Sequence, residues 1–261
     1  SGLVVLYGTS SATVEAGKTA STTVNLVEVV NNFDSLQQAI TAGGIVYIGS
    51  DIDVNSTLTV NTDVTLLPAY KNVTLKKSGD IELTSVTAGK LTVGGNDYTI
   101  TLDGNSEGYS ASTKNLIKVN GAGCTVTLDK NSVVMNNAGT GVTIAGQDYN
   151  NKAYLYLHSG TIKSNQSGGV SLSNAEFVMT DGIITGNVGN NGGGVFIMSG
   201  GTFSMTGGSI TDNVGNNNGG GVFMNNGTFS MTGGSITGNF AGAYGGGGVA
   251  ISGGTFEISG G

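Results

Sequence analysis

The sequence predicts an all-β chain: a right-handed parallel β-helix with three strands per coil, about eight coils and a short N-terminal capping helix. Three observations predict it. The C-terminal half repeats about every 26 residues, so that Ile184, Ile210 and Ile236 fall in register. Within each repeat, apolar residues alternate over short runs, the spacing that puts them on one face of a strand. Glycine is abundant, at 47 residues, but lies irregularly between these runs and not at every third position, which sets collagen aside.

Taken in chain order, residues 1–31 read as an N-terminal extension with strands and residues 32–48 as a cap. In the cap, Asp34-Ser35-Leu36-Gln37-Gln38-Ala39-Ile40 opens on a capping residue with Gln37 three positions on. Phe33, Leu36, Ala39 and Ile40 share one side, and Gly43-Gly44 stops the helix. Residues 49–119 read as irregular coils built from short strands such as Ile52 to Val54, Leu58 to Val60, Val64 to Leu66 and Leu91 to Val93. Residues 120–261 are the regular repeats. A rod of roughly 40 Å follows from eight coils at the spacing between neighbouring strands.

Each regular repeat has three apolar columns. Phe177, Phe203, Phe229 and Phe256 form one, followed two residues on by Met179, Met205, Met231 and Ile258. Val170/Leu172, Val195/Ile197, Val222/Met224 and Val249/Ile251 form a second set of inward pairs, each after a Gly-Gly turn. The isoleucines Ile162, Ile184, Ile210 and Ile236 form the third, and each is followed three residues later by Asn165, Asn187, Asn213 or Asn239. A lone coil of such short strands exposes its backbone donors; stacked coils pair them and bury like side chains on like. The asparagines are expected to hydrogen-bond from coil to coil at a turn. The last strand, Thr255 to Ser259, is followed by no capping element, so the repeat is expected to continue past Gly261.

The chain is long enough for one elongated domain, with 38% apolar residues to bury. All ten basic residues are Lys, against 17 acidic ones, for a formal charge of −7. Without the bidentate arginine fork, nucleic acid and polyanionic sugars are poor partners. Cys124 is the only cysteine, which rules out an intrachain disulfide, and no apolar run approaches membrane-spanning length.

The run GGVFIMSGGTFSMTGGSITDNVGNNNGGGVFMNNGTFSMTGGSITGN resembles the Gly-Gly-Thr-Phe/Gly-Gly-Xaa-Ile-Xaa-Xaa-Asn repeats of large bacterial cell-surface proteins in the pectin-lyase-like β-helix superfamily. Residues 120 to 261 carry that resemblance, and Asn32 to Leu67 is similar to the way the fold commonly begins. It implies a secreted or wall-associated location. It does not imply an activity, because the fold hosts lyases, hydrolases, tailspikes and adhesins alike. A lyase of this superfamily would use an arginine base and a carboxylate-bound Ca²⁺, and the chain has no arginine.

Glycoside hydrolysis needs two carboxylates converging on one face. Asp51-Ile52-Asp53 is the closest pair, and Asp51 and Asp53 are the catalytic candidates; the same alternation is what any half-exposed strand shows. His158 has no carboxylate or cysteine beside it in sequence and reads as a surface residue. The loops Val188-Gly189-Asn190-Asn191 and Val214-Gly215-Asn216-Asn217-Asn218 lack the aspartate of calcium-binding repeats and read as structural turns, so neither a metal nor another cofactor is expected.

Binding residues are sought where the period breaks. The loop Gly146 to Lys152 holds Asp148 and Tyr149, residues 104 to 115 hold Tyr109, and a third loop holds Tyr244. Phe196 and Phe223 should point outward on successive coils as a small apolar strip, so that Phe223→Ser is expected to leave folding cooperative. The expected function is a non-enzymatic stalk or adhesin-type scaffold that contacts carbohydrate or a surface protein. The alternative is a polysaccharide-active enzyme with its groove on the N-terminal coils, where Asp51, Asp53, Asp80, Glu82, Asp97 and Asp103 are concentrated.

Overall fold

The structure is a computed structural model that describes residues 5–7, 27–243 and 245–261. It is a parallel β-solenoid of about eight coils with three long sheets. Its first coil comprises Gly44–Ile48, Ile52–Val54 and Leu58–Val60, and each of these strands belongs to a different sheet. The second and third sheets have eight strands each. The first has eleven: nine coil strands, the last being Gly254–Ile258, together with Val27–Val30 and, antiparallel to that strand, Val5–Tyr7.

Register follows the repeat. Phe177 pairs with Phe203 and Phe203 with Phe229, while Ile184 pairs with Ile210 and Ile210 with Ile236. The phenyl rings stack at centroid distances of 4.5, 4.7 and 5.0 Å from Phe177 through Phe256, within the range of favourable aromatic contact. Burial comes from the coil above as well as from the coil itself. Met224 and Met231 are 0% and 4% exposed, whereas their register partners Ile251 and Ile258, on the last strands, are 51% and 61% exposed.

The asparagine column is a hydrogen-bonded ladder. Asn165, Asn187 and Asn213 each donate from Nδ2 to the Oδ1 of the next asparagine at 2.9 Å, and their backbone N–H groups reach the same oxygen. The preceding residue is in the left-handed region in every case: Ser164, Gly186, Asp212 and Gly238. That conformation turns the chain sharply and aims the amide inward, where Asn137, Asn165, Asn187 and Asn213 are fully buried. Successive rungs lie 28, 22, 26 and 26 residues apart, so the ladder absorbs the irregular coil as well as the regular ones.

Its first rung ends on a buried lysine. Lys77 is 0% exposed, and its Nζ donates to Asn137 Oδ1 at 3.2 Å across the intervening coil. Gly104 leaves the gap: a Cβ there would lie 2.4 to 2.7 Å from Asn137 Cα, Cβ and Oδ1.

Two expectations need correction. The helix spans Phe33–Ala42, but its N-cap is Asn32, not Asp34: the Asn32 side chain accepts from Ser35 N at 3.0 Å and Asp34 sits in the first turn, favourably placed near the helix dipole. Leu36 and Ile40 close the first coil, and Gly43, at φ 81°, ends the helix. The two asparagine-rich segments read as turns are strands. Val188–Asn191, Val214–Asn218 and Phe240–Ala241 form a fourth, three-stranded sheet, because stacking places equivalent backbone one strand spacing apart whatever its intrinsic preference. The register slips between Gly189 and Asn191, where the second segment is one residue longer.

Candidate functional site

The sequence-derived candidates fall on different faces. Asp51 and Asp53 flank buried Ile52 and point outward from the second sheet into a shallow cleft with Thr74 and Lys76. Asp51 Oδ1 accepts the Thr74 N–H at 2.7 Å, and Asp53 is the register partner of Lys76, which in turn pairs with Asp103. The Asp51 carboxylate thus ties one coil to the next, while Asp53 stands beside Lys76 in register. Tyr109 is half-buried in the turn that joins the second sheet to the third, with its N–H bound by Asn105 and its carbonyl by Ser112.

Asp148 and Tyr149 lie at the corner between the third and first sheets. Asp148 folds its own loop: Oδ1 accepts from Asn150 N and Asn151 N, and Oδ2 from Asn151 Nδ2 at 2.8 Å. The Asn151 amide and then the Asn150 N–H hold the carboxyl below its ordinary pKa. Tyr149 is 70% exposed, and Lys152 Nζ lies 5.3 Å from its ring centroid, a cation–π distance.

Phe196 and Phe223 do face outward on the third sheet, stacked at 5.4 Å, but Phe223 is only 8% exposed. The fourth sheet, which precedes each of these strands, brings the chain's own Gly192 and Gly219 turns over the strip: a Cβ on Gly219 would meet Phe223 Cβ at 2.8 Å. Phe223 is therefore covered and not part of an open apolar surface; Phe196 borders a small hollow with Gln166, Ser167, Asn190 and Asn191. Tyr244 lies outside the described residues.

The structure assembles a group that sequence reading passed over. In Ala153–Leu157, Ala153, Leu155 and Leu157 are fully buried, so alternation drives Tyr154 and Tyr156 outward, and His158 continues the row. The Tyr156 and His158 rings lie 5.9 Å apart at 44°. On one side the row meets Thr125 and Thr127, the register partners of the two tyrosines, and beyond Thr125 lies Lys90. On the other side are Glu176 and Val178. Lys90, Gly123, Thr125, Thr127, Tyr154, Tyr156 and His158 thus line one shallow groove on the first sheet. Burial, then Glu176 and Tyr154, push the Tyr156 phenol pKa up, so it stays a hydrogen-bond donor. The signal was present in Ala-Tyr-Leu-Tyr-Leu-His: with its leucines assigned inward, the other three side chains must share the outer face.

Rings that lie on a flat sheet beside hydroxyl groups can stack on the apolar face of a sugar and hydrogen-bond its edge. Among the described residues, no three of His, Cys, Asp and Glu gather closely enough to hold a metal ion, and no helix is long and apolar enough to cross a membrane. Cys124 is buried, and burial raises its thiol pKa, which leaves it unreactive. Comparison with protein-family models, curated proteins and solved structures finds no match to this chain.

Proposed function

We propose that this chain is a non-enzymatic, extracellular β-helix scaffold that holds glycan against the Tyr154–Tyr156–His158 row. The outward row of three adjoining aromatic side chains on a rigid sheet carries this reading. A parallel sheet braced on both sides by neighbouring coils fixes the rings before ligand arrives, which lowers the ordering cost of binding. The resemblance of the repeats to bacterial cell-surface β-helix proteins supports a place outside the cell.

The test is glycan-array binding of the purified chain against the double variant Tyr154→Ala/Tyr156→Ala. Retention should fall to background in the variant while its melting curve stays put, because both side chains point away from the core. Unchanged retention would remove the row from the function. The cleft at Asp51 and Asp53 supports the enzymatic alternative, which predicts release of reducing ends or unsaturated uronides, abolished by Asp53→Asn.

A further inference from the structure

The surroundings of the aromatic row constrain what it can bind. Its direction is set by the strand. Above and below Tyr156 in register stand Val178 and Thr127, and above and below Tyr154 stand Glu176 and Thr125, so no second ring lies along the rod axis. The stacking faces succeed one another only along the strand, where outward residues recur about every 6.7 Å of backbone and the Tyr156 and His158 ring centroids lie 5.9 Å apart. A ligand that uses all three rings must therefore lie across the rod, parallel to the strands, and be extended.

The charges beside the row are mixed. Lys90 lines the groove beyond Thr125, and Glu176 stands next to Tyr154 on the opposite side. Asp129 follows Leu128, whose carbonyl accepts the His158 N–H. Of the other lysines nearby, Lys130 is paired with Asp97 at 2.9 Å, and Lys152 lies by the Tyr149 ring and donates to Thr202, the register partner of Glu176, which adds a positive group on that side of the row. An anionic sugar on Tyr154 would face the Glu176 carboxylate, and a cationic one would face Lys90. Resting on the glycan reading of this site, we infer that its ligand is an uncharged, extended polysaccharide, held across the rod over about three sugar units.

The experiment is titration of the full chain, by calorimetry or tyrosine fluorescence, with the di- to hexasaccharides of β-1,4-linked glucose, mannose, xylose and N-acetylglucosamine, and with hexagalacturonate. The expected result is that at least one neutral series binds. Its affinity should rise with length to about the trimer and then level off, and fall about tenfold in Tyr156→Ala. The same affinity should be measured at low and at high salt. Preference for hexagalacturonate, weakened by salt and by Tyr156→Ala, would overturn the uncharged class and leave the glycan site standing. Affinity that keeps rising through the hexamer would overturn the crosswise placement. No binding by any probe would overturn the glycan reading itself.

Discussion

At the scale of single residues, the asparagine ladder is where polar groups are most committed. The two N–H groups of Asn213 Nδ2 are shared among Ile184 O, Thr211 O and Asn239 Oδ1, while its own Oδ1 takes two donors from Asn187. Asn213→Ala leaves several of these buried groups unpaired and should cost about 2–4 kcal/mol in urea unfolding. The exposed Asn190→Ala should change stability by less than about 0.5 kcal/mol. Lys77 ends the same ladder in a different currency. Burial, only partly offset by Asp80 and Glu82, holds its pKa below the ordinary 10.5. Between that lowered value and 10.5 the unfolded chain binds more protons than the folded one, so stability rises with pH through this window. Below the lowered value both states are charged and the penalty is complete. The wild type should therefore gain stability over Lys77→Met as pH is raised toward 10.5, measured by urea unfolding at several pH values. A difference independent of pH would mean that the ammonium is solvated. The asparagine column was legible from spacing alone. Lys77 was not, because its partner is 60 residues away and the glycine that makes room for it belongs to a third coil.

At the scale of elements, strand sense decides which changes are tolerated. Phe203 is fully buried and stacked on both sides, so Phe203→Ala should cost about 3–5 kcal/mol. Phe223 points the other way but is nearly covered, and Phe223→Ser should cost about 2 kcal/mol while unfolding stays cooperative. Parallel urea curves with shifted midpoints would show this, and a loss as large as that of Phe203→Ala would place Phe223 inside the coil. Alternation identified both residues as strand positions and assigned their faces correctly. It could not show that the fourth sheet brings a turn over Phe223, since that sheet forms only when three coils align. The aromatic row is the converse case. Alternation places Tyr154, Tyr156 and His158 on the outer face one by one, but His158 has no carboxylate or cysteine near it in sequence, and Thr127 and Val178, the register partners of Tyr156, gather around the row only once the coils stack.

At the scale of the molecule, the solenoid behaves as a stack of nearest-neighbour contacts. The equivalence of Thr202 and Thr228 in register means that a second copy of residues 202–227 inserted after Gly227 presents the same columns to the coils on either side. The extended protein should fold cooperatively, and small-angle scattering should show a rod longer by about 4.8 Å. Aggregation, or loss of near-ultraviolet dichroism with the far-ultraviolet signal retained, would show that the coils depend on contacts beyond their neighbours. The same construction gives the groove its rigidity: the strand that bears the row is hydrogen-bonded along both edges, to Thr125–Leu128 and to Ala175–Met179.

The sequence by itself determined the coil, its columns and the ladder, because each depends on one residue type recurring at a spacing that only stacked strands satisfy. It also located the capping helix to within two residues, where the competition between Asn32 and Asp34 for the first free N–H groups is settled by local geometry. Tertiary structure alone decided which outward residues become neighbours. Side chains that face out are under no periodic constraint, so their grouping depends on the exact register between coils of unequal length. That register separates Asp51, Asp148 and Phe196 onto different faces and sets Thr125, Thr127, Glu176 and Lys90 around one aromatic row.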